Sequence, residues 1–256
     1  MSDFIKDTWE KQAVSFKDSH WVSWGDNWAI DLEIENNAGF IKEGDKVLDV
    51  GCANGFAAYR QADKKNINIT GIDFAENMIK NALEKHKEFG APKNISFEQG
   101  DVRSLSFPDN TFDVTYTTRV LINLPNWEEQ KQGIEECVRV TKKGGTVILS
   151  EAFWEPLVLL NSLRTLVNLP PLVEHDFNRY IKISKAEAFM KEKKYSFERT
   201  DYTSVYYLGS RFLRELITDA SKYPGYSNPV NEIFYNIEKD YSGGGFGIQQ
   251  AIVIKK

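Results

Sequence analysis

The chain has 256 residues, of which 41% are apolar and 27% charged, with 37 acidic and 32 basic side chains and a formal net charge of -5. These proportions are typical of a globular protein and exclude a wholly disordered chain, while the acidic balance disfavours nucleic acid as a partner. Two cysteines do not make a disulfide framework. No apolar run approaches the roughly 20 residues of a membrane helix, and the N-terminal segment lacks the apolar core of a signal peptide. We therefore expect a cytoplasmic protein without a membrane partner.

The first half of the chain alternates between two kinds of hydrophobic pattern. After two helical segments within residues 1–44, short apolar runs typical of strands are followed by segments of helical period. This alternation predicts an α/β fold with a mainly parallel sheet that is covered on both faces. Helices are expected at residues 3–18, 26–37, 56–63, 77–89 and 126–140, and strands at residues 46–50, 67–73, 95–101, 112–118 and 146–153.

The alternation ends after the fifth strand. Residues 152–194 are rich in helical patterns, residues 195–207 alternate like a strand, and two further helices precede a final strand at residues 246–256. No linker is long enough to mark a domain boundary, so we expect a single domain. Its parts would be N-terminal lid helices (1–44), a cofactor-binding core (45–151), a helical substrate cap (152–194) and the last strands and helices (195–256).

The segment LDVGCANG, residues 48–55, carries the strongest functional signal. Gly51 and Gly55 permit the positive φ and the close backbone approach that a ligand needs between a strand and a helix. Asp73 ends the next predicted strand, 22 residues after Gly51, where an acid can accept hydrogen bonds from two ribose hydroxyls. Such a site suits either a dinucleotide or S-adenosylmethionine.

The local charge distinguishes these two cofactors. Asp49 lies two residues before Gly51, where its carboxylate would repel the pyrophosphate of a dinucleotide. The ammonium and the sulfonium of S-adenosylmethionine are positively charged, so that an acid at this position favours them. The glycine spacing G-x-x-x-G also differs from the dinucleotide pattern G-x-G-x-x-G. The sequence therefore predicts S-adenosylmethionine as the cofactor.

These residues resemble motif I of the class I S-adenosylmethionine-dependent methyltransferases, and later segments resemble the family's other motifs in the same order. The chain departs from the family at Ala53, where a glycine is usual. The resemblance implies a Rossmann-like sheet of seven strands whose last strand is antiparallel. The similar segments are Asp49–Gly55, Gly71–Phe74, Gln99–Val102, Phe112–Val114 with Thr118–Leu121, and Arg139–Gly145.

The resemblance also implies which residues bind the cofactor. Asp73 would bind ribose, Asp101 the adenine amino group, and the strand that ends near Thr118 the methionine portion. The N-terminal helix, as far as Phe16, resembles the family's lid over the cofactor. The implied cofactor-binding residues are Asp49, Gly51, Ala53, Asn54, Gly55, Asp73, Phe74, Met78, Asp101, Val102, Thr118 and Phe16.

Three residues are candidates for the transfer step itself. A hydroxyl acceptor needs a general base because its own pKa is far above 7. His175 in the cap is the first candidate, and Glu151 at the end of the fifth strand is the second because it is expected to face the same crevice. Arg119 follows the fourth strand and could bind an anionic acceptor, bind the cofactor carboxylate or pair with a nearby acid. No cluster of metal ligands stands out, so we expect no metal.

The acceptor is expected to be a small polar molecule. A resemblance in RVLINLP and GFGIQQ to methyltransferases of bacterial surface-polysaccharide pathways favours O-methylation of a sugar or of a sugar-linked or nucleotide-linked group. The alternatives are N- or C-methylation of another small metabolite, such as an amine or a quinone precursor, or a methyltransferase-like binding protein without catalysis. The sequence does not predict the oligomeric state.

Overall fold

Seven strands form one sheet in the computed structural model, which describes residues 3–16, 25–218, 226 and 228–256. The strands are β1 (Lys46–Val50), β2 (Asn68–Asp73), β3 (Ile95–Gln99), β4 (Phe112–Thr118), β5 (Thr141–Ala152), β6 (Ser196–Thr200) and β7 (Gln249–Lys255). Their order is β3-β2-β1-β4-β5-β7-β6. The pairs among β1 to β5 are parallel, and β7 is antiparallel to both β5 and β6. The predicted seven-stranded, mostly parallel sheet with an antiparallel last strand is therefore confirmed.

The helices cover the sheet and continue beyond it. They are α1 (Asp3–Phe16), α2 (Asn27–Phe40), α3 (Phe56–Lys64), α4 (Glu76–Glu88), α5 (Trp127–Val140), α6 (Trp154–Leu166), α7 (Ile183–Glu192), α8 (Ser204–Leu208), α9 (Arg214–Ile217) and α10 (Pro229–Asp240). A 3-10 turn covers Leu121–Asn123, and a π-helical turn, Gly209–Leu213, joins α8 to α9. Within the described ranges, no helix has the length and apolar character needed to cross a bilayer.

The central strand β1 fixes the position of the site. It pairs with β2 on one side and with β4 on the other. The strand order therefore reverses at β1: β2 and β3 lie on one side of it, and the remaining strands lie on the other. Val47, Leu48 and Val50 are almost completely buried, as expected for a strand with both faces covered. A crevice opens beyond the carboxyl ends of the strands at such a reversal, and ligands bind there in open α/β sheets.

Side chains at helix ends hold the covering helices in place. Asn126 accepts a hydrogen bond from the backbone N-H of Glu129 at 3.0 Å and donates to the Glu129 carboxylate at 3.1 Å, which is the capping interaction predicted for α5. The Glu10 carboxylate on α1 accepts from the backbone N-H groups of Glu76 and Asn77, at 2.9 and 3.1 Å. These bonds fasten α1 to the N-terminus of α4, at the end of the sheet where the crevice opens.

Two predicted strands have bounds that differ by five residues or more in the structure. The strand expected over residues 195–207 ends at Thr200, and helix α8 begins at Ser204. The buried Glu238 carboxylate accepts from the backbone N-H of Tyr206 at 2.8 Å, a tertiary contact that stabilises the helix start and that a local pattern does not reveal. Strand β5 begins at Thr141, five residues earlier than expected, because its first residues continue the pairing with β4 through an irregular register.

Candidate active site

A first cavity lies beyond the carboxyl ends of β1, β2 and β4, with α1 and α2 on its other walls. Eight of the predicted cofactor-binding residues line it. Trp9 from α1 and Glu33 from α2 line it as well. The eight are Asp49, Gly51, Ala53, Asn54, Asp73, Phe74, Met78 and Thr118.

The turn after β1 brings the backbone close to this cavity. Gly51 has a φ of +80°, and a Cβ atom built on it would lie 2.1 Å from a Val120 methyl carbon. Gly55 has a φ of +79°, and its Cβ would lie 2.5 Å from the Phe97 ring. Ala53 also has a positive φ, 48°, a conformation in which an L-residue is strained and glycine is not. The usual family glycine at this position therefore has a conformational reason, and Ala53 adopts the same turn at some cost.

Two carboxylates, the buried Asp49 and the partly buried Asp73, contribute negative charge to the first cavity. Asp49 is 2% exposed, and a hydrogen bond from the Tyr116 hydroxyl lowers its pKa without offsetting the effect of burial. Burial, with a further contribution from the charge of Asp73, raises the pKa of Asp49 to about 7. Burial also raises the pKa of Asp73 to about 6, although its carboxylate accepts backbone N-H bonds from Ala75 at 2.9 Å and Ala53 at 3.0 Å. A cationic ligand would stabilise both carboxylates in their ionised form.

Helix α2 places a buried acid at the end of β4. Glu33 is 1% exposed and pairs with the guanidinium of Arg119, whose Nε lies 3.1 Å from the carboxylate. Asn37, one turn further along α2, donates to the Thr118 hydroxyl at 3.3 Å. Burial raises the pKa of Glu33 to about 7, against the effect of Arg119. Sequence reasoning did not identify Glu33, although an acid among the apolar residues of α2 was a visible signal.

Glu151 does not lie where the sequence interpretation placed it. Its side chain is fully buried and lines neither cavity of the site. The carboxylate accepts hydrogen bonds from the Thr117 hydroxyl at 2.7 Å and from the backbone N-H groups of residues 120–122 at 3.1 to 3.3 Å. Burial raises its pKa to about 7 despite these bonds. The expectation that Glu151 faces the crevice is wrong, and its contacts make it the anchor of the segment after β4.

Asp101 and Val102 also lie outside the first cavity. The Asp101 carboxylate binds the Arg103 guanidinium, with Nε at 3.0 and 3.1 Å from its two oxygens, and Arg103 also pairs with Glu129 at 2.6 Å. Val102 is 5% exposed and lies within the hydrophobic core. This geometry does not bring Asp101 to the cavity, so its predicted adenine contact stays a prediction. Gly55 supports the turn without lining the cavity, and the side chain of Phe16 lies outside the described part of the chain.

A second cavity of about 600 Å³ adjoins the first. Both cavities are lined by Trp9, Arg119 and Asn123, which therefore form the junction between them. His175 lines the second cavity only, and its ring stacks on Phe177 with centroids 5.5 Å apart. Phe177 in turn meets the edge of Trp9 at 5.8 Å, so an aromatic row connects the cap to α1.

The walls of the second cavity come from more of the chain than the sequence interpretation assigned to the cap. Leu157, Leu172 and His175 belong to residues 152–194, as expected. Tyr207 and Arg211 belong to the helical segment after β6, however, and Ile248 and Gln249 lie at the start of β7. Sequence reasoning left Tyr207 open between sheet packing and a pocket lining. It missed Arg211, Ile248 and Gln249, because their patterns are those of ordinary packed helices and strands.

The sheet order, the reversal at β1 and the glycine turn together define a class I methyltransferase fold. Residues 47–145 match the family described as "Methyltransferase domain". By fold and by the sequence of this stretch, the chain is similar to the class I S-adenosylmethionine-dependent methyltransferases. Its first cavity fits the cofactor of that class, since it is lined by Asp49 and Asp73, whose carboxylates a ligand with positive charge would stabilise in the ionised form.

Curated relatives resemble mainly the cofactor-binding half. The 27-O-demethylrifamycin SV methyltransferase of Amycolatopsis mediterranei is 30% identical over 117 residues, which are 45% of this chain and 42% of that protein. Phosphoethanolamine N-methyltransferase 1 of Arabidopsis thaliana is 33% identical over 43% of this chain and 22% of its own length. A phosphatidylethanolamine N-methyltransferase of Cereibacter sphaeroides is 34% identical over 43% of this chain and 52% of its own length. The chain thus matches about half or less of each of these relatives.

Solved structures extend the likeness of fold to the whole chain. One is a chain in the complex between the Haloferax volcanii Trm112 methyltransferase activator and the putative methyltransferase. It has a TM-score of 0.63 and 18% identity, and the match covers 100% of this chain and 97% of that one. Phospholethanolamine N-methyltransferase 2 of Haemonchus contortus, solved with phosphomonomethylethanolamine and S-adenosylhomocysteine, has a TM-score of 0.61 and 16% identity, covering 98% of this chain and 60% of that chain. At these identities the likeness concerns the fold alone.

The buried carboxylate of Asp49 makes a prediction about pH. Because its pKa lies near 7 and a cationic ligand favours the ionised form, the affinity for S-adenosylhomocysteine, which carries the same ammonium, should fall as the pH falls. We expect a loss of about tenfold between pH 8 and pH 6, as for one group that must be ionised. Calorimetric titration across this range measures the effect. In Asp49→Asn the affinity should be lower and should fall less steeply with pH, since only Asp73 and Glu33 then titrate among the described residues that line this cavity. An equally steep pH profile in this variant would contradict the assignment.

The anchoring contacts of Glu151 predict a stability effect. Glu151→Ala would leave three backbone N-H groups and the Thr117 hydroxyl without an acceptor, so we expect a loss of more than about 3 kcal/mol in the free energy of unfolding. Glu151→Gln keeps one acceptor oxygen and should lose less. Urea unfolding monitored by circular dichroism measures both. Equal stability of Glu151→Ala and the wild-type protein would show that the carboxylate does not hold this segment.

Proposed function

We propose that this protein is an active methyltransferase that transfers the methyl group of S-adenosylmethionine to a small or medium-sized polar acceptor. The observation that carries the proposal is the junction of the two cavities at Trp9, Arg119 and Asn123. Methyl transfer requires the acceptor atom within about 3 Å of the methyl carbon, in line with the bond that breaks. A cofactor in the first cavity and an acceptor in the second would meet at this junction.

The bound cofactor supplies a methyl group activated by its sulfonium. The residues of the chain contribute binding, orientation and the exclusion of water. Asp49 places a negative charge beside the cationic part of the ligand, and Asp73 supplies acceptors for the ribose hydroxyls. Trp9 covers the junction from α1 and limits the access of water to it.

Asn123 is suited to orient the reacting group of the acceptor. Its Nδ2 atom donates to the Arg119 carbonyl at 2.7 Å, which fixes the orientation of the amide. The Oδ1 atom is buried and has no hydrogen-bond partner among the described residues. An acceptor hydroxyl or amine at the junction would donate to this oxygen and thereby aim a lone pair away from it. This residue was not identified from the sequence.

His175 is the proposed base for a hydroxyl acceptor. It lines the second cavity, and its ring stacks on that of Phe177. Among the described residues, the Asp176 side chain makes no hydrogen bond to it. Because the imidazole can remove the proton of a hydroxyl acceptor, this proposal favours an O-methyl product. The acceptor that we prefer is a sugar or a sugar-linked or nucleotide-linked group. The names of the relatives include N- and O-methyltransferases, and N- or C-methylation of another metabolite is the second candidate.

The proposal is tested first through the cofactor. The pure protein should bind S-adenosylhomocysteine in calorimetric titration and should not bind NAD or NADP under the same conditions. Asp73→Ala should weaken the binding by on the order of 2–4 kcal/mol through the loss of ribose hydrogen bonds. Asp63→Ala, an exposed acid on α3, is the matched control. Turnover is then measured as S-adenosylhomocysteine release with a panel of acceptors that begins with sugar nucleotides. Tight binding of a dinucleotide would contradict the proposal.

The base assignment has its own test. His175→Ala should abolish turnover of a hydroxyl acceptor and leave the affinity for S-adenosylhomocysteine unchanged, because the side chain lines only the second cavity. His86→Ala is the control, since His86 binds the Tyr59 hydroxyl away from both cavities. Full turnover in His175→Ala would show that the base lies elsewhere or that the acceptor requires none.

A further inference from the structure

The helical segment after β6 contains a π-helical turn at the wall of the second cavity. The turn Gly209–Leu213 interrupts a helix that otherwise runs from α8 into α9. Such turns are rare and occur frequently at functional sites. Tyr207 and Arg211, four residues apart, both line the second cavity, and neither lines the first. The segment therefore presents an aromatic and a cationic side chain to the proposed acceptor.

Arg211 is held from behind by a buried acid. Asp26 is completely buried, and its Oδ2 atom accepts from Nη2 of Arg211. Its Oδ1 atom accepts from the Tyr206 hydroxyl at 2.5 Å and caps α2 through the backbone N-H of Ala29 at 3.2 Å. Nη1 of Arg211 donates to the Ser210 hydroxyl at 3.0 Å. Four contacts thus fix the guanidinium and its counter-ion in one orientation.

Stability alone does not account for this ion pair. A buried pair is often no more stabilising than apolar residues of the same volume, because both charges lose their hydration. A guanidinium that is oriented by an acid and also reaches a cavity wall is, however, prepared for a ligand with a complementary group. The position of this oriented guanidinium at the cavity wall, rather than a gain in stability, indicates a binding role for Arg211.

The charged residues that line the second cavity indicate whether the complementary group of the ligand is an anion or a cation. Among the described residues that line this cavity, the full positive charges are Arg119 and Arg211, and no aspartate or glutamate is present. Each arginine is paired with a buried acid, Glu33 or Asp26, that lies behind it and does not line this cavity. A ligand in the cavity therefore meets guanidinium groups and, among these lining residues, no carboxylate that an ammonium group could bind. The aromatic rings do not form a free cation site either, because the Arg211 guanidinium already lies 5.0 Å from the Tyr207 ring centroid and 4.9 Å from that of Tyr226.

We infer that the methyl acceptor carries an oxyanion, a carboxylate or a phosphate, and that Arg211 binds it in the second cavity. The planar guanidinium matches either group with two parallel hydrogen bonds. The apolar part of the acceptor would pack on side chains such as Leu157, Leu172 and Phe177, which line the same cavity. The inference rests on the proposed function, since it assigns the second cavity to the acceptor.

Matched probes test the sign of the charge. With the protein saturated by S-adenosylhomocysteine, ligand-observed NMR titration compares 4-hydroxybenzoate, 4-hydroxybenzyl alcohol, tyramine and phenyl phosphate. At least one anionic probe should bind about tenfold or more tightly than the neutral and cationic ones. The ratio of the carboxylate to the phosphate probe tells which oxyanion the site prefers. If neither anion binds more tightly than its neutral or cationic counterpart, the inference is wrong.

A double variant tests the residue. Arg211→Gln alone would leave Asp26 buried without its counter-ion and could unfold the protein. Asp26→Asn combined with Arg211→Gln removes both charges and keeps an N-cap side chain for α2. This variant should bind the anionic probe about 10- to 100-fold more weakly and should keep its affinity for the neutral probe and for S-adenosylhomocysteine. Arg214→Gln is the control, because Arg214 lies on the same helical segment and lines neither cavity.

Different results would contradict the proposed function and the proposed role of Arg211. If the wild-type protein does not bind S-adenosylhomocysteine, the proposed function is contradicted. If it binds S-adenosylhomocysteine and the double variant binds the anionic probe as tightly as the wild type does, only the role of Arg211 is contradicted.

Discussion

The rest of the site is arranged around one carboxylate, which is buried in the central strand. Asp49 lies in β1 between apolar residues, where water cannot solvate its charge, and a hydrogen bond from the Tyr116 hydroxyl offsets this loss only in part. Such a group is unfavourable unless a cation or a proton neutralises it. The glycine turn, α1 and α2 surround the space where that cation would lie. Within the proposed function, the strand thus offers the cofactor a negative charge, and the unfavourable burial of that charge would be relieved when the cofactor binds.

The junction depends on two further acids that act on the chain itself rather than on a ligand. Glu151 on β5 holds the segment after β4 through backbone N-H groups, and Glu33 on α2 holds Arg119 at the end of β4. Arg119 has a φ of 57°, so its backbone conformation is one that the surrounding contacts must impose. Both acids therefore support the wall that the two cavities share.

The sequence predicted what depends on neighbours in the chain. The strands of the core, the Asn126 cap and the glycine turn follow from local spacing, and the structure places them as expected. Glu151 was assigned to the crevice because the side chain at a strand end can point into the sheet or away from it, and spacing does not decide which. The partners of Asp26 lie 180 and 185 residues away, so the wall that contains Arg211 could not be inferred from local pattern. Helix α8 was missed for the same reason, because Glu238 supports its start from α10.

The contacts of Asp26 also limit which parts of the chain can be exchanged with those of a relative to change the substrate. It caps α2, the helix that carries Glu33 and Asn37 into the first cavity, and the same carboxylate binds the Tyr206 hydroxyl and orients Arg211 at the second. A chimera that joined the first half of this chain to the C-terminal half of a relative would separate Asp26 from its two partners. The N-terminal and C-terminal regions must therefore be exchanged together or not at all. If Arg211 binds the acceptor as proposed, acceptor specificity depends on both regions together, even though the matched family stretch, residues 47–145, contains neither Asp26 nor Arg211.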